Sequence, residues 1–237
     1  MKGPMTTQTL RGINDSGPMH WRGDRTGNER ATVNGTQESR ESAAFKAFNP
    51  AFVSLVGREK PLDSDQMQAF TDFAMQIMLP PNPVRALDNS LSPEQQRGHD
   101  LYMFASTTPI ADTCNACHEL DAQKRHFGSD GTVTGEGGRV SQDFKVPPLR
   151  NAYTKVGRFD DNQEQIRGFG FLHDGSEPTL LRFFQSGVFL FTSDEDRNRV
   201  SDFLFAIDTN LAPIVGQQVT VSPKNRESAL KRLDLLL

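Results

Sequence analysis

The residues best equipped for chemistry are Cys114, Cys117 and His118, in the run Cys114-Asn115-Ala116-Cys117-His118. The pattern C-x-x-C-H is the attachment motif of c-type haem. Two thiols three positions apart on a helical turn can each add to one vinyl group of a porphyrin. The following His118 can then offer an imidazole nitrogen to the iron, and a proximal His is a standard haem ligand. These are the only cysteines in the chain. A zinc site is the main competitor. It needs about four ligands, so the fourth would come from His20, His99, His126 or His173. A thioredoxin-like redox pair would want a βαβ setting, and no parallel-sheet pattern surrounds the motif.

Other candidates are weaker. His173 sits in the Gly-punctuated stretch 168–175 and is the first candidate for a sixth iron ligand, ahead of His126, Met103 and Met78. Lining the pocket or bonding a propionate would serve His173 equally well, and Asp174 is a candidate to orient its ring. Arg150 can neutralise a propionate; a surface role explains it nearly as well. Met75 and Met78 lie on an apolar helix face, where methionine usually belongs to the core. His20 and Trp21 form a notable pair, which a surface loop with one buried aromatic explains equally well.

Composition sets limits on the rest. The chain has 237 residues, 35% of them hydrophobic, and a net charge of −4. That length allows one large domain or two small ones. The apolar fraction is low for a simple globule, and a large apolar cofactor would supply part of the core. Phe is over-used, at 17 against one Trp and two Tyr, which suits packing around a porphyrin. The acidic balance argues against a nucleic-acid partner. No run approaches the ~18 apolar residues of a membrane span. The opening residues lack the apolar core of a leader peptide. Haem c is normally attached outside the cytoplasm, so a removed leader or a longer parent chain is expected.

Several elements would position these residues. Phe45, Phe48, Phe52, Leu55 and Val56 recur at helical spacing, interrupted at Pro50. Ser64 opens a helix with Met67, Phe70, Ala74, Ile77 and Met78 on one face, stopped by the prolines after residue 79. Residues 84–91 read as a linker. Ser92, Pro93 and Gln95 form a capping box with Pro in the first turn. The helix they open carries Gly98 on its apolar face, at a cost of up to ~1 kcal/mol against Ala, which predicts a second helix crossing closely there. A long polar loop covers 121–143. Ser193 caps a last clear helix over 194–208, with Val200, Phe203, Leu204 and Ile207 on one face, and 226–237 starts another. The fold class is mainly α, with long loops.

The order of capped helix, C-x-x-C-H, long loop, Pro-rich segment and final amphipathic helix resembles the class I cytochrome c domain. More narrowly, it resembles the C-terminal haem domain of the bacterial dihaem cytochrome c peroxidases and their MauG-like relatives. Lys2-Gly3-Pro4 with Thr9-Leu10-Arg11 is similar to the segment after that family's first haem motif. His20-Trp21-Arg22-Gly23-Asp24-Arg25 looks like its aromatic-Trp-Asp-Gly-Arg stretch. Val146-Pro147-Pro148-Leu149-Arg150-Asn151 and Phe171-Leu172-His173-Asp174-Gly175 look like its Pro-Pro-Leu-Arg-Asn and Phe-His-x-Gly segments.

The resemblance implies three regions. Residues 1–90 would be a loop-rich inter-haem segment with one or two helices, completing a missing N-terminal haem domain. Residues 91–210 would be the cytochrome c-like haem domain, and 211–237 a C-terminal extension. It implies covalent haem c on Cys114 and Cys117, iron on His118, and a second haem in the full protein. Trp21 would relay electrons between the two, with an electron donor or acceptor protein and hydrogen peroxide as partners, in the periplasm or otherwise outside the cytoplasm. Calcium between domains is implied too, without a local ligand pattern. The family has two C-x-x-C-H motifs and this chain has one, and no Met follows Met103 to act as sixth ligand. The alternatives are a monohaem shuttle cytochrome, a zinc-stabilised interaction module, or a peroxidase acting at this haem with Glu136 or His126 as acid–base group.

Overall fold

A computed structural model of the chain describes residues 5–17, 20–22, 24–33, 35–109, 112–135, 143–157 and 168–237. The protein is mainly helical, 35% helix against 7% strand. Its described residues form two compact units that interleave along the sequence. The first takes the chain up to Met78, then Cys114–Leu149 and Leu172–Asp174. The second takes Leu79–Thr113, Arg150–Phe171 and Gly175–Leu237.

The first unit holds α1 (Arg40–Lys46), α2 (Ala51–Ser54), α3 (Ser64–Met75) and α5 (Cys114–Cys117). Pro50 stands at the N-cap of α2, which is why the helical stretch there breaks in two. The cap of α3 is Asp63, one residue before the expected Ser64, and it closes a capping box with Gln66. The buried face of α3 is Met67, Thr71 and Ala74. Phe70 and Met78, expected inside, are exposed, as are Leu55 and Val56. Ile13, Ala44, Phe45, Met67 and Ala74 form the core of this unit. Three short antiparallel pairs complete it: β1 (Thr32–Val33) with β2 (Thr36–Gln37), β3 (Leu120–Asp121) with β4 (His126–Phe127), and β5 (Val133–Gly135) with β6 (Asp143–Lys145). The long polar loop is therefore partly a hairpin, its pairing set by backbone bonds rather than by an apolar alternation.

The second unit is built on α4 (Pro93–Phe104) crossing α7 (Asp194–Phe205). Both start as expected, α4 on the Ser92–Gln95 capping box and α7 on the Ser193 hydroxyl. At Gly98 the helices touch: a Cβ built there would lie 1.9 Å from the Arg199 carbonyl oxygen. The expected linker is a clasp on the end of α7. Buried Asn82 donates to the Phe205 and Ile207 carbonyls, and Arg85 to that of Ala206. The Phe205 carbonyl is among those a helix end leaves without intrahelical donors. α6 (Leu180–Phe184) leads into a cluster of Phe183, Phe184, Phe189 and Phe191, with centroids of neighbouring rings 4.9–6.2 Å apart. Much of the Phe surplus is spent here. α8 (Arg226–Asp234) ends the described chain. Among the described residues no helix is long and apolar enough to cross a membrane.

Candidate functional site

The motif folds as expected: Cys114–Cys117 is one turn of helix, and the His118 amide donates to the Cys114 carbonyl at 2.9 Å. Neither cysteine is in a disulfide, and both are partly exposed. Asn115 turns back to accept from the Leu120 amide at 2.8 Å, which fixes the exit of the turn.

Two backbone carbonyls set the His118 ring. Nδ1 lies 2.8 Å from the Gly128 oxygen and 3.3 Å from the Pro147 oxygen. An Nδ1 proton shared between them leaves Nε2 as the basic nitrogen, the arrangement that metal-bound imidazoles use. Burial pulls the His118 pKa below its ordinary value, against the opposing pull of the two carbonyls. Burial thus favours the neutral ring, which is its ligating form.

The β3–β4 hairpin delivers Gly128. Asp121 accepts from the Gln123 and Lys124 amides in the turn, and Arg125 takes a positive φ of 62°. The chain then returns so that the Gly128 amide meets the Glu119 carbonyl at 2.8 Å. Gly128 has a φ of +93°, and a Cβ there would run into Leu149 at 2.6 Å. Only glycine satisfies both demands. Neither Gly128 nor Pro147 was singled out as functional, because a carbonyl carries no side-chain signature. Gly128 itself, in a Gly-rich loop, is the one hint the sequence offers.

His173 falls in the same unit as the motif. Its ring stacks on Phe144, centroids 4.6 Å apart and planes 17° from parallel, and its carbonyl accepts from the Thr6 amide. Leu172 before it holds φ 65°, a conformation that costs an L-residue about 1–2 kcal/mol. Strain of this kind persists only where the surroundings impose it. His126 lies in this unit too, with Nδ1 bonded to Glu119. Trp21 joins the unit through its carbonyl, which accepts from the Lys145 amide at 2.9 Å. His20 pairs with Asp24 and meets Phe48 edge-on.

Other expected residues fall elsewhere. Arg150 belongs to the second unit, where it is buried and its Nε donates to the Asp208 carbonyl at 3.1 Å. Met103 lies on α4, and His99 packs edge-on against Phe203, both in the second unit. Met78 is exposed. Glu136, residues 2–4 and Gly23 lie outside the described residues. Among the described residues no three His, Cys, Asp or Glu side chains gather as metal ligands. The donor set present, two thiols and one tethered neutral imidazole on a helical turn, fits a covalently held haem.

No protein-family model and no curated protein matches the sequence. Among solved structures, a chain of hydrazine synthase from Kuenenia stuttgartiensis, determined under 20 bar of xenon, has the same general fold. The TM-score is 0.56 and the identity 16%, over 85% of this chain and 72% of that one.

Proposed function

We propose that this chain is a c-type haem protein that transfers electrons as part of a dihaem, cytochrome c peroxidase-like oxidoreductase outside the cytoplasm. The carrying observation is the His118 ring, held by the Gly128 and Pro147 carbonyls beside two thiols on one helical turn. When bound, haem supplies one-electron redox chemistry and axial positions for ligands. The chain's own residues tether and orient. Cys114 and Cys117 fix the porphyrin edge, and the two carbonyls hold the His118 ring so that no rotation accompanies electron exchange. His173, braced by Phe144, is the proposed sixth ligand. Trp21 is the proposed relay to a second haem.

What supports a two-haem enzyme over a single-haem shuttle is the place of the Trp21 segment. A shuttle has no use for residues 20–25, yet Trp21 is hydrogen-bonded to the same strand-and-strap segment that supplies the Pro147 carbonyl. The likeness in fold to a hydrazine synthase chain agrees with a redox role.

The test is a visible spectrum of protein matured with a c-haem assembly system, in both oxidation states, with and without His173→Ala. A sharp low-spin reduced spectrum that turns high-spin in the variant is expected. A high-spin spectrum in the unmutated protein would move the peroxide chemistry onto this haem. Absence of any haem band would overturn the reading.

A further inference from the structure

The first unit contains a group of hydrogen-bond donors with no acceptor. Lys145, the last residue of β6, is only 2% exposed, and among the described residues its Nζ has no hydrogen-bond partner. The Trp21 indole Nε1 and the Arg40 Nε are buried without partners as well. Two observations bring their residues near one another. The Lys145 amide donates to the Trp21 carbonyl, and the Arg40 charge acts on the Lys145 ammonium. The segment after Trp21 is pressed on the start of α1: Gly27 leaves no room for a Cβ, which would fall 2.0 Å from the Arg40 carbonyl oxygen. Arg25 reaches the other end of α1, donating to the Ala47 carbonyl at 3.2 Å.

Three buried donor atoms without acceptors, two of them on cationic side chains, are an unusual load for neighbouring segments of one unit. Buried charges are normally paired, because an uncompensated one is among the most costly features a fold can carry. Among the described residues Glu41 is the carboxylate that favours the Lys145 charge, and it makes no ion pair with it. Burial accordingly pulls Lys145 down to about 8. All three groups donate and none accepts, so the missing partner is acceptor-only. A carboxylate or a phosphate meets that description.

We infer that Lys145, Arg40 and Trp21 form a buried oxyanion site that takes a carboxylate or similar anion from outside the polypeptide. Two sources share this chemistry: a propionate of the porphyrin tethered at Cys114 and Cys117, or a small free anion. Lys145 lies two residues before Pro147, whose carbonyl faces His118, so one strap serves both groups. The free-anion source does not depend on the proposed function; the propionate source does.

The experiment uses the full chain, matured as above, with Lys145→Met beside the unmutated protein. Melting is followed in chloride, acetate and phosphate at equal ionic strength, and propionate carboxylate stretches by infrared difference. A free anion predicts that acetate or phosphate raises the melting point by about 2–4 °C in the unmutated protein and not in Lys145→Met. A propionate predicts no anion dependence and a shifted propionate band in Lys145→Met. Either result supports the site. Melting indifferent to anions together with unmoved propionate bands overturns it. If the matured chain carries no haem, the haem reading falls and the melting series alone decides the site. Arg40→Gln, partly exposed and easier to fold around, substitutes if Lys145→Met does not fold.

Discussion

Replacing Gly98 by Ala is the sharpest test of how the second unit is assembled. A Cβ at that position falls 1.9 Å from the Arg199 carbonyl oxygen, 2.5 Å from its carbon and 2.9 Å from the Phe203 Cβ. Comfortable contact begins near 3.5 Å, so α4 and α7 would have to separate by an ångström or more. The obstacle is backbone, which cannot swing aside as a side chain can. Overpacking costs about 1–3 kcal/mol, and a backbone obstacle puts this case at the upper end. The better helix propensity of Ala returns up to ~1 kcal/mol. The net loss is about 2 kcal/mol, which at about 2–4 °C per kcal/mol for a chain of this size lowers the melting point by about 4–8 °C. Thermal unfolding followed by far-ultraviolet circular dichroism reads this directly. Gly187→Ala is the control, because a Cβ there meets nothing within 4 Å. A Gly98→Ala protein that melts at or above the unmutated temperature would refute the crossing.

Two further expectations concern the same unit. Asn82→Ala strips the Phe205 and Ile207 carbonyls of their donors, at about 1–3 kcal/mol for each buried group left unmet, and should lower the urea midpoint clearly. A loss below about 0.5 kcal/mol, the range of surface changes, would mean those carbonyls are served otherwise. At Glu94, the bond from Arg199 holds the carboxyl below its ordinary value, with Arg97 adding to the effect. Such a depressed carboxylate stabilises the fold above the ordinary carboxylate range and loses that contribution as pH falls through its folded value. Arg199→Gln should therefore let the Glu94 pKa rise, seen by NMR titration; no movement would mean the pair is absent in solution.

Much of the helical frame was legible because its signals are local. The Ser92–Gln95 box, the Ser193 cap and the demand that Gly98 be crossed all follow from a few neighbouring residues, and each took its expected place. The apolar face expected of α3 reaches solvent at Phe70, and the helix ends at Met75 before reaching Met78, since periodicity says which residues share a face and not how far the helix or its cover extends. The clasp at Asn82 and Arg85 was invisible: its partners lie more than 120 residues away. At the candidate site, Cys114, Cys117 and His118 announced themselves through type and spacing. The carbonyls of Gly128 and Pro147 that aim His118 did not, because every residue has one. Lys145 was hidden for a similar reason, as a lysine reads as surface until its burial is seen.

The interleaving of the two units has a consequence for how the protein is made. The chain passes between them five times, and the first unit is incomplete until Asp174 exists. About 57 residues must therefore follow Cys117 before the last piece of its own unit arrives. At ordinary synthesis rates of about 5–20 residues per second, the two thiols spend several seconds on an unfinished polypeptide. The order of the gene thus brings the segment bearing His173 to the first unit last of all, and no single cut in the coding sequence yields either unit whole.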